Sequence, residues 1–172
     1  MKILFDEVPE SGVTVKVADA SWFPEVDWVR VGPVQGELFL TRRQQQVLLD
    51  GTLRFTSRFA CDRCLEPYET GEDLRFRIAF EYLPPNDPYW LTEEHECPED
   101  EMDVVTLSEP AIDIEAVLEQ QVILSVPAKR LCSEGCLGLC PTCGRNLNKA
   151  ACNCQGLERE SPFQILARLK VK

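Results

Sequence analysis

The sequence predicts an α+β protein in which an antiparallel β body with one packed helix precedes a small C-terminal cysteine-rich zinc module and a short last helix. Two long segments alternate apolar and polar residues, a period typical of antiparallel strands with one buried face. A third segment spaces its apolar residues as a helix does. Six of the nine cysteines lie between Cys132 and Cys154. We therefore expect two domains, at residues 1–128 and 129–172.

The strands of the β body follow from this alternation. The longest run, from Val47 to Phe59, keeps its phase through Gly51, which favours one continuous strand with a glycine bulge over a hairpin turn at that glycine. A polar break at 42–46 separates this run from the strand before it. The predicted strands are residues 13–17, 29–31, 34–41, 47–59, 74–82 and 104–107.

The packed helix is predicted over residues 113–126. Asp113 is its N-cap, and Pro127 ends it because the residue before a proline resists the helical conformation. Before the helix, an acidic segment with several prolines at 84–103 is expected to form an exposed loop. After the cysteines, a short last helix is expected to begin at Pro162.

Length and composition indicate a globular protein of one ordinary domain plus a small appendage. The 172 residues are 44% hydrophobic and 27% charged. No segment approaches the ~20 consecutive apolar residues of a membrane span, and the first residues resemble neither a signal peptide nor a transit peptide. We therefore expect a cytoplasmic protein that does not contact membranes. In such a reducing compartment, nine cysteines are better explained by metal binding than by disulfides.

The formal net charge of −11 is unevenly distributed along the chain. From Lys129 onward eight basic residues stand against three acidic ones, a charge of +5, so the first 128 residues carry −16. This asymmetry indicates contact with nucleic acid or an acidic partner through the C-terminal end, although the acidic residues can equally serve only to solvate the body. Four basic residues are candidate RNA phosphate contacts, namely Arg145, Lys149, Arg159 and Lys170.

The cysteine-rich stretch predicts a structural zinc site. The segment CPTCG at 140–144 has the form of a zinc knuckle, so Cys140 and Cys143 are the first pair of Zn²⁺ ligands. Free thiols packed as small hydrophobes fit poorly, because the neighbouring residues are Gly, Asn, Lys and Ser. A catalytic zinc usually has histidine or carboxylate ligands, and this stretch contains no histidine. The other two ligands are Cys132 and Cys136, or Cys152 and Cys154, or one from each of these pairs.

A further pair, Cys61 and Cys64, lies at the predicted tip between two long strands. It has three interpretations: half of a second metal site completed by sulfurs from elsewhere, a structural turn with two reduced thiols, or a redox pair. The redox interpretation is disfavoured because a thioredoxin-like motif opens a helix, whereas strands flank this pair. In the acidic loop, we expect an unpaired thiol at Cys97 rather than a weak metal site with His95.

The sequence carries no signature of an enzyme. His95 is the single histidine, which weakens every mechanism that needs a histidine general base. No glycine-rich phosphate loop is present, and the acidic residues cluster without an apolar pocket that would raise a pKa. We therefore expect a non-enzymatic protein with no small-molecule substrate.

The segments CDRCLE, at 61–66, and CLGLCPTCGRNLN, at 136–148, resemble the bacterial YceD-type family, which is named for large ribosomal RNA subunit accumulation. The resemblance implies a non-enzymatic accessory factor in large ribosomal subunit biogenesis, which supports accumulation or processing of large-subunit ribosomal RNA. It implies ribosomal RNA or a large-subunit ribosomal protein as the partner. Because some members keep only the first cysteine pair, it also implies two independent metal sites.

Two other functions stay open from the sequence. The −16 charge of the first 128 residues favours a protein–protein adaptor that holds a basic ribosomal protein without direct RNA contact. A dithiol redox protein that uses Cys61 and Cys64 is the third hypothesis.

Overall fold

The computed structural model describes residues 1–88 and 104–154. The chain divides into two compact units. The sheet unit comprises Met1–Phe59 and Tyr68–Ala128, and the cysteine unit comprises Ala60–Pro67 and Lys129–Lys172. Residues 60–67, which belong to the first of the two domains predicted from the sequence, lie in the cysteine unit. Most of the predicted acidic loop, with His95 and Cys97, and the predicted last helix lie outside the described residues.

The sheet unit is built from two sheets and one helix. A two-stranded sheet pairs β1 with β7, and a five-stranded sheet has the order β2-β3-β4-β5-β6. A 3₁₀ turn at Phe5–Glu7 follows β1. The strands are β1 (Lys2–Leu4), β2 (Val13–Val17), β3 (Val29–Arg43), β4 (Gln46–Ala60), β5 (Pro67–Tyr82), β6 (Val104–Leu107) and β7 (Ala111–Asp113), and the helix is α1 (Ile114–Ser125).

The predicted antiparallel body is confirmed for most of the five-stranded sheet. Strand β3 pairs antiparallel with β2 and with β4. Ion pairs between β4 and β5 run in opposite chain order, as expected for antiparallel neighbours: they are Arg58–Glu69, Arg54–Asp73 and Asp50–Arg77. The purely antiparallel prediction is wrong for β6, which pairs parallel to β5. A parallel neighbour needs a connection of a dozen or more residues, and 21 residues separate Tyr82 from Val104 in the sequence.

The predicted continuity of β4 is confirmed, but the predicted bulge at Gly51 is wrong. Gly51 pairs in regular register with Leu38, and the register shift lies instead in β3, between Val31 and Gln35. A glycine stands at position 51 for another reason. A Cβ there would lie 2.2 Å from the ring of Phe76, so any side chain would displace the ring.

Among residues 1–88 and 104–154, the hydrophobic core lies in the sheet unit. Alternate residues of β4 are buried, among them Leu49 and Leu53, and the buried side chains of α1 belong to the same core. The predicted helix and its N-cap are confirmed, because the Asp113 carboxylate accepts hydrogen bonds from the backbone N–H groups of Glu115 and Ala116. Among the described residues, no helix combines the length and apolar composition that a bilayer crossing requires.

Candidate metal centres

The first cysteine pair forms a tight knuckle between β4 and β5, which we call the first knuckle (residues 61–65). The backbone N–H of Leu65 donates to the carbonyl of Cys61 at 2.8 Å, and the N–H of Cys61 donates to the carbonyl of Glu66 at 3.0 Å. Leu65 takes a left-handed conformation with a φ of 60°. This turn places the Cys61 and Cys64 sulfurs on the same side of the backbone loop.

The second knuckle (residues 140–144) repeats the same hydrogen bonds. The N–H of Gly144 donates to the carbonyl of Cys140 at 2.9 Å, and the N–H of Cys140 donates to the carbonyl of Arg145 at 2.8 Å. Gly144 has a φ of 71°, in the position that Leu65 occupies in the first knuckle. The two knuckles are therefore equivalent turns that differ in the residue at their left-handed position.

Each knuckle is completed by a second pair of cysteines. The first cluster comprises Cys61, Cys64, Cys132 and Cys136, and the second cluster comprises Cys140, Cys143, Cys152 and Cys154. Within each cluster the four sulfurs all lie within 4.8 Å of one another, so either group can hold a metal ion.

The sulfur separations in the first cluster fit a tetrahedral metal site. The Cys61 and Cys136 sulfurs are 3.7 Å apart, and so are those of Cys64 and Cys132. These distances are far longer than the ~2.05 Å of a disulfide. They agree with the edge of about 3.8 Å that four thiolates form around an ion at ~2.3 Å, the usual zinc–sulfur distance.

The structure thus divides between two clusters the six C-terminal cysteines, which the sequence alone leaves as one pool of candidate ligands. Cys140 and Cys143 lie with Cys152 and Cys154, one of the completions left open from the spacing. Cys132 and Cys136 lie instead with the first knuckle. Of the three interpretations of Cys61 and Cys64, the arrangement matches the half-site completed by distant sulfurs.

Backbone N–H groups stabilise one thiolate in each knuckle. Burial opposes ionisation of Cys61, but N–H groups that include that of Cys132 outweigh it and lower the pKa of Cys61 to about 6. In the second knuckle the N–H groups of Cys143 and Thr142 lower the pKa of Cys140 to about 6.

One thiol in each cluster has its pKa shifted in the opposite direction, by desolvation and by a neighbouring sulfur. Desolvation, followed by the effect of Cys136, raises the pKa of Cys132 to about 12. The neighbouring Cys143, followed by desolvation, raises the pKa of Cys154 to about 12. Four thiolates so close together repel one another, and a divalent cation at the centre of each cluster would compensate their charge.

Two polar side chains support the first cluster from outside. The Asn148 amide donates to the Cys136 sulfur at 3.3 Å, and its oxygen accepts from the backbone N–H of Leu137 at 2.8 Å. The Arg63 guanidinium donates to the carbonyl of Cys136 at 2.8 Å. No sequence pattern identifies a role for these residues, because contacts of this kind depend on segments that are distant in the chain.

The basic residues predicted to contact RNA have structural partners where they are described. The Lys149 ammonium lies 2.7 Å from a carboxylate oxygen of Glu66, whose pKa it lowers. The Arg145 guanidinium donates to the carbonyl of Ala151 at 3.1 Å. Both side chains are therefore engaged within the cysteine unit. Arg159 and Lys170 lie outside the described residues.

Comparisons with known proteins agree with the resemblance noted in the sequence. The sequence model of the family described as "Large ribosomal RNA subunit accumulation protein YceD" matches residues 49–170, a range that includes both clusters. "Large ribosomal RNA subunit accumulation protein YCED homolog 1, chloroplastic" of Arabidopsis thaliana is 28% identical over 170 residues, which covers 80% of this chain and 49% of that protein. The protein of the same name from Zea mays is 27% identical over 143 residues, which covers 72% of this chain and 49% of the relative.

The chain therefore spans about half the length of the curated relatives it matches. No solved structure matches it.

Proposed function

We propose, from the fact that the chain belongs to the family of the large ribosomal RNA subunit accumulation protein YceD, that it is a non-enzymatic accessory factor in large ribosomal subunit biogenesis. In this role it supports accumulation or processing of large-subunit ribosomal RNA. The observation that carries the proposal is the family match over residues 49–170, which takes in both cysteine clusters and most of the five-stranded sheet.

Each cluster holds one Zn²⁺ ion in this proposal. Four thiolates suit zinc and also suit iron, and the sulfur spacing in the first cluster agrees with either as a tetrahedral site. A tetrathiolate site has no open coordination position, so the metal would shape the cysteine unit and not act as a Lewis acid on a substrate. Such a structural role agrees with a protein that binds or holds a ribosomal component.

Elemental analysis of the purified chain tests the metal assignment. The wild type is expected to contain two zinc ions per chain. Cys61→Ser and Cys152→Ser, one from each cluster, are each expected to lower this to one. The matched control is Cys97→Ser, which is expected to keep two. A wild type that contains iron, or that binds one ion shared by all eight cysteines, would contradict the assignment.

The function is tested in a host that lacks its own member of the family. The wild-type chain is expected to restore the ratio of large-subunit to small-subunit ribosomal RNA, and Cys97→Ser is expected to do the same. The double variant Cys61→Ser/Cys152→Ser is expected to fail, because both clusters would lose a ligand. A wild-type chain that is expressed and leaves the ratio unrestored would overturn the proposal.

The charge of the sheet unit favours a second function, an adaptor for a basic ribosomal protein. Its described residues include seventeen acidic against nine basic side chains. An acidic surface of this size attracts basic proteins and repels phosphate. Capture of a partner from lysate before and after ribonuclease treatment separates the two functions, since a partner that survives digestion supports the adaptor.

The dithiol redox function receives less support. Cys61 and Cys64 share their cluster with two further thiols, and a bound metal would occupy both as ligands. Replacement of both by Ser would eliminate any dithiol chemistry and the first metal site together. If this double variant keeps the zinc content of the wild type but loses activity, the result would favour the redox function over the metal site.

A further inference from the structure

The outward face of the five-stranded sheet differs in charge from the rest of its unit. Side chains at alternate positions of β2–β5 point away from the core, and six of the nine basic residues described in the sheet unit occupy such positions. They are Lys16, Arg43, Arg54, Arg58, Arg75 and Arg77. Five acidic residues share the face, namely Glu37, Asp50, Glu69, Asp73 and Glu81.

The remaining described residues of the sheet unit are strongly acidic, with three basic side chains against twelve acidic ones. A polyanion that approaches the sheet unit therefore meets the least repulsion at the outward face, where six basic side chains slightly outnumber five acidic ones. Arginine forks on that face can also bind phosphate oxygens directly.

An open depression of about 650 Å³ lies on this face and contains an exposed aromatic ring. Phe39 is 42% exposed although phenylalanine is usually buried. Phe39 lines the depression together with two arginines, two threonines and two acidic residues, which are Arg75, Arg77, Thr14, Thr52, Glu37 and Asp50. A flat ring beside guanidinium groups is the combination that binds a stacked base and its phosphate in single-stranded nucleic acids.

The arginines of the depression are available for a ligand. Arg75 has no ion-pair partner among residues 1–88 and 104–154. Arg77 pairs with Asp50 at 2.6 Å, but its side chain is 74% exposed. Exposed pairs of this kind contribute only ~0–1 kcal/mol, so a phosphate can replace the carboxylate at little cost.

We propose that the depression around Phe39 on the outward face of β2–β5 binds single-stranded RNA, with a base stacked on Phe39 and phosphates held by Arg75 and Arg77. This inference rests on the proposed function and names the surface through which the chain would contact ribosomal RNA. It moves the RNA contact from Arg145 and Lys149, which are engaged within the cysteine unit, to the sheet unit.

The test is fluorescence anisotropy of a labelled twelve-nucleotide single-stranded RNA of mixed sequence, titrated with the full metal-loaded chain. Phe39→Leu keeps an apolar side chain and removes the flat ring, so it is expected to weaken binding by about 5- to 150-fold, the range of one base–aromatic stack. Arg75→Ala is expected to weaken binding and to reduce the slope of log affinity against log salt by about 0.7, the value of one phosphate contact on a single strand.

Matched controls lie elsewhere on the sheet unit. Ile123→Ala changes an apolar side chain that is 48% exposed on α1, and Arg42→Ala changes an arginine paired with Asp6. Both are expected to leave RNA affinity within twofold of the wild type. Thermal melting of each variant establishes that Phe39→Leu and Arg75→Ala are folded, and Phe39→Tyr, which keeps a flat ring, is expected to retain binding.

Several results would overturn the inference. If the wild type binds RNA and Phe39→Leu and Arg75→Ala bind equally well, the surface is wrong while the proposed function stands. If the wild type restores ribosomal RNA accumulation in cells but does not bind the oligonucleotide, the RNA contact is wrong and the accessory function again stands. Capture of a basic protein that survives ribonuclease and is lost in Arg75→Ala would assign the same surface to a protein partner and overturn the RNA inference.

Discussion

Different forces stabilise the sheet unit and the cysteine unit. Eighteen buried apolar residues form one core in the sheet unit, where strand alternation and α1 exclude water. In the described part of the cysteine unit the buried apolar residues are four cysteines, Cys61, Cys64, Cys136 and Cys140. Hydrophobic burial therefore suffices for the first unit, whereas the second depends on its sulfur ligands and on what they bind.

A second contrast lies between the two clusters themselves. The first cluster joins segments that are 68 residues apart at Cys64 and Cys132, and three of its four cysteines are buried. The second cluster closes within residues 140–154, and of its cysteines only Cys140 is buried. The first cluster thus ties two distant parts of the chain together, while the second shapes a local loop.

The largest predicted effect is selective unfolding on metal removal. A strong chelator is expected to abolish amide protection at residues 60–67 and 129–154, because a structural zinc supplies ~10–16 kcal/mol of apparent binding free energy to a segment without its own core. Amides of β3 and β4 up to residue 59 are expected to stay protected. Hydrogen exchange with mass spectrometry measures both, and a protected cysteine unit after complete metal removal would refute the contrast between the units.

The reciprocal change tests the apolar core. Leu49 is fully buried in the sheet unit, so Leu49→Ala is expected to lower the free energy of unfolding of that unit by about 2–5 kcal/mol. Zinc content is expected to remain at two ions per chain. Leu124→Ala, at a side chain that is 76% exposed, is the control and is expected to change stability by less than about 0.5 kcal/mol. Loss of zinc in Leu49→Ala would show that the two units do not fold independently.

Acidification is predicted to release metal from the cysteine unit before the sheet unit unfolds. The pKa values of Cys61 and Cys140 are lowered to about 6 in the folded chain from 9.0. A thiol with a lowered pKa stabilises the folded state above its unfolded pKa, and that contribution disappears as the pH falls through about 6. Metal affinity is therefore expected to decrease at least about tenfold per pH unit below 6, since protons compete for the ligands.

Dialysis at stepped pH followed by elemental analysis checks this prediction. The β-sheet signal in circular dichroism shows whether the sheet unit stays folded at each pH. Retention of both ions at pH 4.5 would be inconsistent with protonation of the thiolates.

The smallest predicted effect separates the two knuckles. Leu65 holds a left-handed conformation that costs an L side chain about 1 kcal/mol, and it is 66% exposed, so Leu65→Gly loses little burial and is expected to raise metal affinity about fivefold. Gly144→Ala is expected to lower affinity by a similar factor, because its added Cβ meets no atom within 4 Å and the cost is conformational.

Competition with a chromophoric chelator measures both changes. Gly135→Ala is the control, since a Cβ at that position also meets nothing within 4 Å and its φ is not positive. Equal affinities for all three variants would mean that the left-handed position does not influence metal binding.

Local sequence patterns account for most of the elements that were predicted correctly. Alternation located β2, β3, β4 and β5, and Asp113 marked the start of α1, because a strand period and a helix cap are properties of a few consecutive residues. The knuckle at Cys140 was visible for the same reason. The shared form of CDRCLE and CPTCGR could have identified the first knuckle too, but a leucine at the left-handed position concealed the equivalence.

By itself, the sequence determined that the chain has an alternating β body, one capped helix and two C-x-x-C turns able to present sulfurs. The tertiary structure alone decided that Cys132 and Cys136 join the first knuckle, that β6 runs parallel to β5, and that most basic side chains of the sheet unit share one face. Each of these depends on which distant segments become neighbours when the core closes. Residue spacing constrains only the backbone within a turn or a strand, and it leaves such long-range partners undetermined.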